Sequence, residues 1–318
     1  MKKLIVFAVL AAFLASCSDD DDSKTGNGKL ISPRINMDVV TTSGQSPLTG
    51  ILTIVPCQPN SSIFYGNYVK GKLTPFYGYY HIKDGTFYDE AFNREISLPV
   101  GTYNMIYWGT PQYKEPTYAY PAIKDVSYVI GADMSKLAFG LQKIASDTIY
   151  YPVFDLVHIT QPAKVGSENL TASLKRVVTG LKVIVKDKDN GILSSSIDST
   201  TVRITNISSQ LNFYTGIPQG TPLTIAFPLI RSVDGTQLSN ATVMMFPSIG
   251  KPEFQLTIML KNGTVKKFKQ TLNSPLTANN KLTLTLTLGD IFSEESSGDF
   301  TIDNWNEDSQ TIDVPILD

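Results

Sequence analysis

Residues 282 to 288 alternate leucine and threonine, with Leu282, Leu284, Leu286 and Leu288 separated by single threonines. Successive side chains of a β-strand point to opposite faces of the sheet, so this period places every leucine on one face. A slip of one residue in the strand pairing would turn all of these leucines towards solvent. The segment therefore predicts a β-strand that belongs to a sheet with a buried face.

Shorter runs elsewhere in the chain carry the same signal. Strand-like runs recur roughly every 8–12 residues, with turn residues between them and almost no helical periodicity. Asp84-Gly85 and Asn262-Gly263 are typical hairpin turns, because their residues tolerate positive φ angles. Tyr103, Met105 and Tyr107 are expected on one face of a strand. These patterns predict an all-β protein built of antiparallel sheets.

The division of the chain follows from its length and from one loop-like stretch. A chain of 318 residues allows one or two domains, and residues 161–167 have the composition of a linker. We therefore expect two tandem β-sandwich domains, over residues 30–165 and 166–318. One short helix is predicted over residues 134–144, with Asp133 as its N-cap and Gly140 as an interruption.

The first two dozen residues have the pattern of an export signal. Two lysines follow Met1, residues 4–14 are apolar, and small residues precede Cys17; the apolar run is too short for a membrane span, which needs about 20 residues. Leu14-Ala15-Ser16-Cys17 resembles the bacterial lipobox, whose cysteine becomes the acylated N-terminus of the mature protein. We expect residues 1–16 to be a lipoprotein signal peptide and Cys17 to carry lipid. The alternative is an ordinary secreted protein with a chance cysteine.

Residues 17–29 are expected to form a flexible tether. The four adjacent aspartates at positions 19–22 repel one another and stay solvated. They also resemble the acidic surface-export tag that follows the lipid-bearing cysteine in Bacteroidota lipoproteins. The segment is therefore either a linker alone or a linker that also serves as an export tag. The predicted location is the outer membrane, with the protein exposed at the cell surface.

Composition argues against several classes of function. Without the two signal-peptide lysines the chain has 25 basic against 29 acidic residues, and no basic patch suggests nucleic acid. The two histidines, His81 and His158, are far apart, and Cys57 has no partner if Cys17 is acylated. The acidic residues 299, 303, 307 and 308 lack the ligand spacing of a calcium loop. We therefore expect no enzymatic activity, no metal and no cofactor.

Several features together resemble the fimbrillin superfamily of Bacteroidales, the subunits of type V pili. They are the lipobox with its acidic tag, the turn Leu98-Pro99-Val100-Gly101-Thr102-Tyr103, the segment Leu174-Lys175-Arg176-Val177-Val178, and the Thr-rich strands before Asp303-Asn304-Trp305. The resemblance implies two transthyretin-like β-sandwich domains. It also implies assembly by strand donation, in which a protease removes the first strand of a stalk subunit and a neighbour's C-terminal segment fills the groove. The compact length is most similar to the anchor branch, whose members keep their lipid and first strand.

Two segments can be assigned roles on this resemblance. Residues 311–318 place Ile312, Val314 and Ile316 on one face of a strand, which is either a donor strand for the next pilus subunit or the last strand of its own sheet. Arg34 is the first arginine after Cys17 and is either a protease processing site or an ordinary surface residue. The implied partners are other pilus subunits and the outer membrane.

Aromatic residues crowd the first half of the chain and support a second hypothesis. Tyrosine and tryptophan rings can stack on sugars or lie at an interface, so a glycan-binding, adhesin-like surface lipoprotein is the alternative function. The other interpretation is that these rings pack inside the sandwich. Thr148 and Ser199 each lie in a three-residue motif similar to the O-glycosylation sites of exported Bacteroidota proteins. The aromatic residues concerned are Tyr65, Tyr68, Phe76, Tyr77, Tyr79, Tyr80, Phe87, Tyr88, Tyr107, Trp108, Tyr113, Tyr118 and Tyr120.

Overall fold

The computed structural model confirms the all-β prediction. It describes residues 28–41, 44–75, 78–88, 96–112, 116–144, 148–166, 169–187 and 189–288, together with the backbone of 297–301. Cys17 and the predicted donor segment 311–318 lie outside these residues. Within them no α-helix occurs, and hence none with the length and apolar character needed to cross a membrane.

The strands of the described part are numbered in chain order. They are β1 (Leu30–Ile31), β2 (Ile35–Thr41), β3 (Gly44–Pro47), β4 (Gly50–Cys57), β5 (Asn67–Val69), β6 (Lys72–Thr74), β7 (Tyr80–Lys83), β8 (Thr86–Phe87), β9 (Leu98–Pro99), β10 (Gly101–Pro111), β11 (Ile123–Lys124), β12 (Ala138–Leu141), β13 (Ile149–Tyr150), β14 (Val157–Val165), β15 (Leu170–Arg176), β16 (Thr179–Asp187), β17 (Ile197–Asn212), β18 (Pro218–Pro228), β19 (Ile230–Arg231), β20 (Gln237–Ser239), β21 (Val243–Met245), β22 (Glu253–Leu260), β23 (Val265–Thr271), β24 (Lys281–Leu288) and β25 (Ser297–Thr301).

The first body is an eight-stranded sheet with the order β3-β2-β15-β14-β10-β4-β7-β8. One face of this sheet encloses a core that includes Met37, Leu52, Met105 and Tyr107. The sheet curls so that the β7–β8 turn meets β2. There the amide of Met37 donates to the carbonyl of Gly85 at 2.9 Å. Tyr103, Met105 and Tyr107 share this core, as their spacing predicts.

The second body is a sandwich of two sheets. A seven-stranded sheet runs β11-β12-β17-β18-β13, with β22 also paired to β17 and β23 paired to β22. A six-stranded sheet runs β19-β20-β16-β24-β25, with β21 also paired to β16. Their inner faces share one apolar cluster, in which Val183 and Leu284 of one sheet join Val202, Ile204 and Phe254 of the other.

Strand β24 behaves as its leucine–threonine alternation predicts. All of its leucines are buried, and it lies parallel to β16 over the pairs from Gly180 and Lys281 to Asp187 and Leu288. Both predicted hairpins are also confirmed. Asp84 and Gly85, at φ of 50° and 80°, join β7 to β8, and a turn containing Asn262-Gly263 joins β22 to β23.

The predicted helix over residues 134–144 is wrong. Only a single 3₁₀ turn forms at Met134–Lys136, where the Asp133 carboxylate accepts from the Ser135 amide. Leu137 is already extended, and Ala138–Leu141 pairs with β17 as strand β12. Asp133 therefore does cap a turn, as predicted. The residues after the turn form backbone hydrogen bonds with β17, which are more favourable than a helix that contains Gly140.

The domain division between residues 165 and 166 stays a prediction. Strand pairing in the structure continues across this point. Strand β14 ends at Val165 and pairs with β15, which follows it, and β15 pairs with β2. Only Val177 and Val178 separate β15 in the first body from β16 in the second. The two bodies are thus joined by consecutive strands and not by a long linker.

Strand β10 is buried on both faces, and this joins the bodies. Its residues Ile106 and Trp108 point away from the first core and belong to the apolar cluster of the second body. The Trp108 indole donates to the carbonyl of Phe213 at 2.8 Å, and its ring lies 4.8 Å from that of Phe139. Strand β10 therefore contributes alternate side chains to two different cores.

Two buried polar groups lie at this junction. Arg176, the last residue of β15, donates from Nε and Nη2 to the two carboxylate oxygens of Asp155, each at 2.7 Å. His158 is buried with its ring 4.3 Å from that of Trp108, and burial lowers the pKa of His158 to about 4. Burying the charge of Arg176 removes it from water, which costs free energy. The two hydrogen bonds to the Asp155 carboxylate offset that cost.

Replacing Gly85 with alanine should destabilise the first body. Gly85 has φ of +80°, and a Cβ there would lie 3.0 Å from both the Met37 carbonyl and the Asn36 Oδ1. We expect a loss of roughly 1–3 kcal/mol in the free energy of unfolding, measured by urea denaturation. Gly71→Ala is the matched control, because Gly71 has φ of +76° and open space around it. Equal losses in the two variants would show that the contact with β2 is unimportant.

Acid should destabilise the protein partly through His158. The unfolded chain takes up a proton near pH 6.5 and the folded chain only near pH 4, so stability falls as pH drops from 6.5 through 4 and the loss then levels off. A shift of this size corresponds to about 3 kcal/mol.

The variant His158→Gln should lose this part of the pH dependence of the unfolding free energy, whereas the control His81→Gln should keep it. Urea titrations of each variant at several pH values measure the difference. Parallel curves for wild type and His158→Gln would contradict the assignment.

Candidate subunit interface

The first long strand of the chain, β2, is inserted between two other strands. It lies parallel to β15, from the pair Ile35 and Leu170 to the pair Val39 and Leu174, and antiparallel to β3 on its other side. Ile35, Met37 and Val39 point into the first core and are buried, whereas Asn36 is exposed. The strand thus fills a groove whose floor is the apolar core and whose wall is the backbone edge of β15.

Arg34 lies immediately before this strand. It is exposed, and its carbonyl accepts a hydrogen bond from the Leu170 amide at 2.8 Å. On its N-terminal side, β1 pairs with the two residues of β9 only. A chain cut after Arg34 would therefore lose β1 and keep β2 in its groove. Processing at Arg34 stays a prediction.

A second groove of the same type lies in the six-stranded sheet. Strand β24 has β16 on one side and β25 on the other, and β25 forms the edge of the sheet. Strand β25 pairs with β24 over Thr283–Thr287, so β24 would offer an open backbone edge wherever β25 is displaced. The predicted donor residues Ile312, Val314 and Ile316 lie outside the described residues.

Another edge of the second body is protected against pairing. Strand β23 ends the seven-stranded sheet beyond β22, and it exposes Lys267 and Lys269. Charged side chains on an edge strand, lysine above all, discourage a further strand from adding there. The β23 edge is therefore unfavourable for the addition of a further strand.

The aromatic residues divide between core and surface. Tyr80, Tyr107 and Trp108 are buried, whereas Tyr79, Tyr88 and Tyr120 are exposed. Tyr118 and Tyr120 meet edge to face at an interplanar angle of 79°, and Tyr79 meets His81 at 76°. The rings of these contacts are not coplanar, so neither pair forms a flat stacking platform.

The side chains best suited to chemistry have structural surroundings. Burial raises the pKa of the Cys57 thiol to about 12, so this free cysteine stays protonated and unreactive. Asp133 accepts hydrogen bonds from Ser135 and Ser62, which lower its pKa to about 2 and mark it as a turn cap. In the described part of the chain no cluster of His, Cys, Asp and Glu is arranged to hold a metal ion.

Sequence reasoning missed the Arg176–Asp155 pair and the outer face of β10. Arg176 lies in the segment 174–178 that resembles the fimbrillin family, but its partner Asp155 lies 21 residues away and carries no local signal. The burial of the outer face of β10 could have been predicted, because the residues from Met105 to Trp108 are apolar or aromatic on both faces of the strand. Continuous apolar character of this kind is typical of a strand that is covered on both sides.

The fold is that of a two-body, all-β protein in which strand β2 lies inside the sheet of the first body. A family model described as fimbrillin-A associated anchor proteins Mfa1 and Mfa2 matches residues 27–311. The chain belongs to this family, which is one of fimbrial proteins and not of enzymes. The recognition made from the sequence is thereby confirmed.

Solved structures support the same fold. The fimbrial anchor protein Mfa2 of Porphyromonas gingivalis is similar at a TM-score of 0.50 and 13% identity, over 89% of this chain and 99% of that one. A structure described as candidate polysaccharide-binding proteins of Bacteroides thetaiotaomicron is similar at a TM-score of 0.51 and 11% identity, over 85% and 96% of the two chains. No curated protein matches the sequence significantly.

The packing of β2 can be tested by shortening one side chain. Met37→Ala removes a fully buried side chain from the first core and should cost about 2–5 kcal/mol of unfolding free energy. Val40→Ala on the same strand is the control, because Val40 is only half-buried and should cost less. Urea denaturation measures both. Equal, small losses would mean that β2 is not held by the core.

Proposed function

We propose that the chain is the anchor subunit of a fimbria, held to the outer membrane by lipid on Cys17 and joined to its neighbour by β-strand addition. Membership of the fimbrial anchor family supports this role. The observation that carries it is strand β2, since its residues Ile35, Met37 and Val39 belong to the first core. An anchor keeps this strand, whereas a stalk subunit must vacate the groove for a neighbour.

The energetic cost of removing β2 supports the anchor role. Burying an aliphatic side chain contributes about 1.5–3 kcal/mol, so the three buried residues of β2 together stabilise its position by roughly 5–9 kcal/mol, before any loss of backbone hydrogen bonds. Cleavage after Arg34 does not offset this cost, because the whole of β2 follows the cut. An empty groove in the first body therefore requires more than processing at Arg34.

The lipid would supply a lasting attachment. Each buried methylene contributes about 0.8 kcal/mol, and stable anchoring takes more than one acyl chain, which lipobox cysteines carry. Residues 18–29 span at most about 40 Å when extended. In the proposed arrangement the body at Leu30 is held close to the outer surface but not fixed in orientation.

The neighbour would be joined through the C-terminal residues. In this proposal residues 311–318 leave the subunit and add to an open sheet edge of the next one, where Ile312, Val314 and Ile316 fill apolar pockets. Pro315 lacks a backbone N–H, so that position would have to face away from the acceptor strand.

One observation favours glycan binding as a second candidate function. The similar structure from Bacteroides thetaiotaomicron is described as candidate polysaccharide-binding proteins. Tyr79 and Tyr88 are exposed at the β7–β8 edge of the first body, where Lys83 Nζ lies 5.0 Å from the Tyr88 ring centroid. The two functions are compatible, because this edge is separate from the β24 groove.

The deciding experiment is mass spectrometry of the mature N-terminus, from cells and from purified fimbriae. We expect an acylated Cys17 in both, and Cys17→Ala should release the protein and its fibres into the medium. A mature chain that starts at Ile35 or later in fimbriae would contradict the anchor role and indicate a stalk or tip subunit. Binding of glycans by a protein that never associates with fibres would favour the second candidate.

A further inference from the structure

A partly open cavity of about 120 Å³ lies where the end of β10 meets the second body. We call it the junction cavity. Its lining combines apolar residues, among them Tyr118, Phe154 and Met244, with an acid and three threonines. A benzene molecule fits in a protein cavity of about 150 Å³. The junction cavity is therefore large enough to receive most of one six-membered ring.

Backbone hydrogen bonds hold the walls of the junction cavity in place. The Tyr118 amide donates to the carbonyl of Thr242 at 3.0 Å, and the Thr242 amide donates to the carbonyl of Pro116 at 3.2 Å. On the other side, the Val153 amide donates to the carbonyl of Met244 at 2.8 Å. Both flanking segments are thus fixed to one stretch of the second body. A ligand would not need to order these walls on binding.

A buried carboxylate forms part of the wall. The side chain of Asp155 is 3% exposed, and each of its oxygens accepts one hydrogen bond from Arg176 at 2.7 Å. A carboxylate oxygen has two lone pairs, so each oxygen can accept a further hydrogen bond. Arg176 fixes the carboxylate and balances its charge. Asp155 is therefore a positioned acceptor for hydroxyl groups of a ligand.

Threonines extend the polar part of the lining. Thr110, Thr117 and Thr242 all border the junction cavity. Thr242 is 2% exposed, whereas Thr117 is exposed, so polar residues run from the buried side of the cavity to its open side. A threonine hydroxyl both donates and accepts hydrogen bonds. This lining matches a ligand that carries several hydroxyl groups.

Aromatic rings lie at the open side. Phe154 is 39% exposed, although Val153 and Asp155 on either side of it are buried. Tyr118 lines the cavity and contacts Tyr120, with 6.2 Å between their ring centroids, and Tyr120 is 75% exposed. Exposed aromatic rings beside hydrogen-bonding groups favour a ligand that is apolar on one side and polar on the other.

The lining as a whole selects a chemical class of ligand. An apolar side chain of a protein partner would fill the space, but it would cover Asp155 and Thr242 without giving them hydrogen bonds, which costs free energy. An anionic ligand would be repelled by Asp155. A neutral pyranose has hydroxyl groups for the polar residues and C–H groups for the aromatic rings. It is the class that satisfies both parts of the lining.

We propose that the junction cavity binds one neutral pyranose ring of a glycan. Asp155 and Thr242 would bond to its hydroxyls, and Phe154 or Tyr118 would pack against its C–H groups. This inference rests on the second candidate function, glycan binding, and places a site away from the β7–β8 edge. It does not depend on the anchor role.

Saturation-transfer NMR tests the site with the full-length protein, kept in a detergent that has no sugar headgroup. The probes are the methyl pyranosides of glucose, galactose and mannose, and glucuronate is the anionic comparison. We expect at least one methyl pyranoside to bind and glucuronate not to bind. Thr242→Val removes one hydroxyl and should raise the dissociation constant about tenfold. Phe154→Ala removes an aromatic wall and should raise it by a similar factor.

Thr200→Val is the matched control for the lost hydroxyl. Thr200 is also 2% exposed, but it lies in β17 and does not border the junction cavity. This variant should bind the methyl pyranoside as the wild type does. Thermal unfolding of each variant shows that a loss of binding is not a loss of fold.

The outcomes separate the site from the function. Unchanged affinity in both Thr242→Val and Phe154→Ala would overturn the site, and a loss of binding in Tyr79→Ala would then leave glycan binding at the β7–β8 edge. Failure of every methyl pyranoside to bind the wild type would overturn the site together with the second candidate function. Binding of glucuronate in preference to the methyl pyranosides would contradict the neutral class of ligand.

Discussion

The double burial of strand β10 is the constraint on which the rest of the molecule depends. Its residues alternate between two cores, with Met105 and Tyr107 in the first and Ile106 and Trp108 in the second. Separation of the two bodies would expose both outer side chains and break the bond from the Trp108 indole to the Phe213 carbonyl. The exposed indole and aliphatic groups alone would cost several kcal/mol, at about 25 cal/mol per Å² of apolar surface. The two bodies are consequently a single mechanical unit, even though each has its own sheets.

The first body shows how a strand near the start of the chain is held in place. Strand β2 is bounded by β15 and β3 through backbone hydrogen bonds, and its inner face is anchored by Ile35, Met37 and Val39. Backbone pairing alone would accept any extended peptide, so the identity of the occupant is set by the apolar pockets beneath it. The β7–β8 turn adds a further contact, because a Cβ on its Gly85 would lie only 3.0 Å from the Met37 carbonyl of β2. The strand therefore remains in place through local sequence features, which an incoming peptide would need to reproduce.

Local patterns predicted the parts of this fold whose causes are local. The leucines of β24 and the turns at Asp84-Gly85 and Asn262-Gly263 are specified by neighbouring residues, and these predictions are confirmed. Features that depend on distant partners were not predictable. Residues 138–141 became a strand because β17 lies beside them, and Arg176 is buried only because Asp155 meets it. The candidate interface was predicted as a mechanism through the family resemblance, whereas the bonds from Arg231 to the carbonyls of Leu193 and Ser194 join residues distant in sequence and could not be predicted. The donor residues Ile312, Val314 and Ile316 stay predictions.

The parallel pairing of β2 with β15 suits a subunit that bears tension. In the proposed anchor role the membrane would pull β2 from its N-terminal end at Ile35, while the second body would pull β15 from its C-terminal end at Arg176. Because the strands are parallel, Ile35 lies beside Leu170 and these two points of pull are at opposite ends of the pair. The force then acts along the strands, and the five residue pairs from Ile35 to Val39 share the load together. In an antiparallel arrangement Ile35 would lie beside Arg176, and the same force would open the hydrogen bonds one after another. Parallel pairing of β2 with β15 is thus the geometry that resists a pull on the two strand ends.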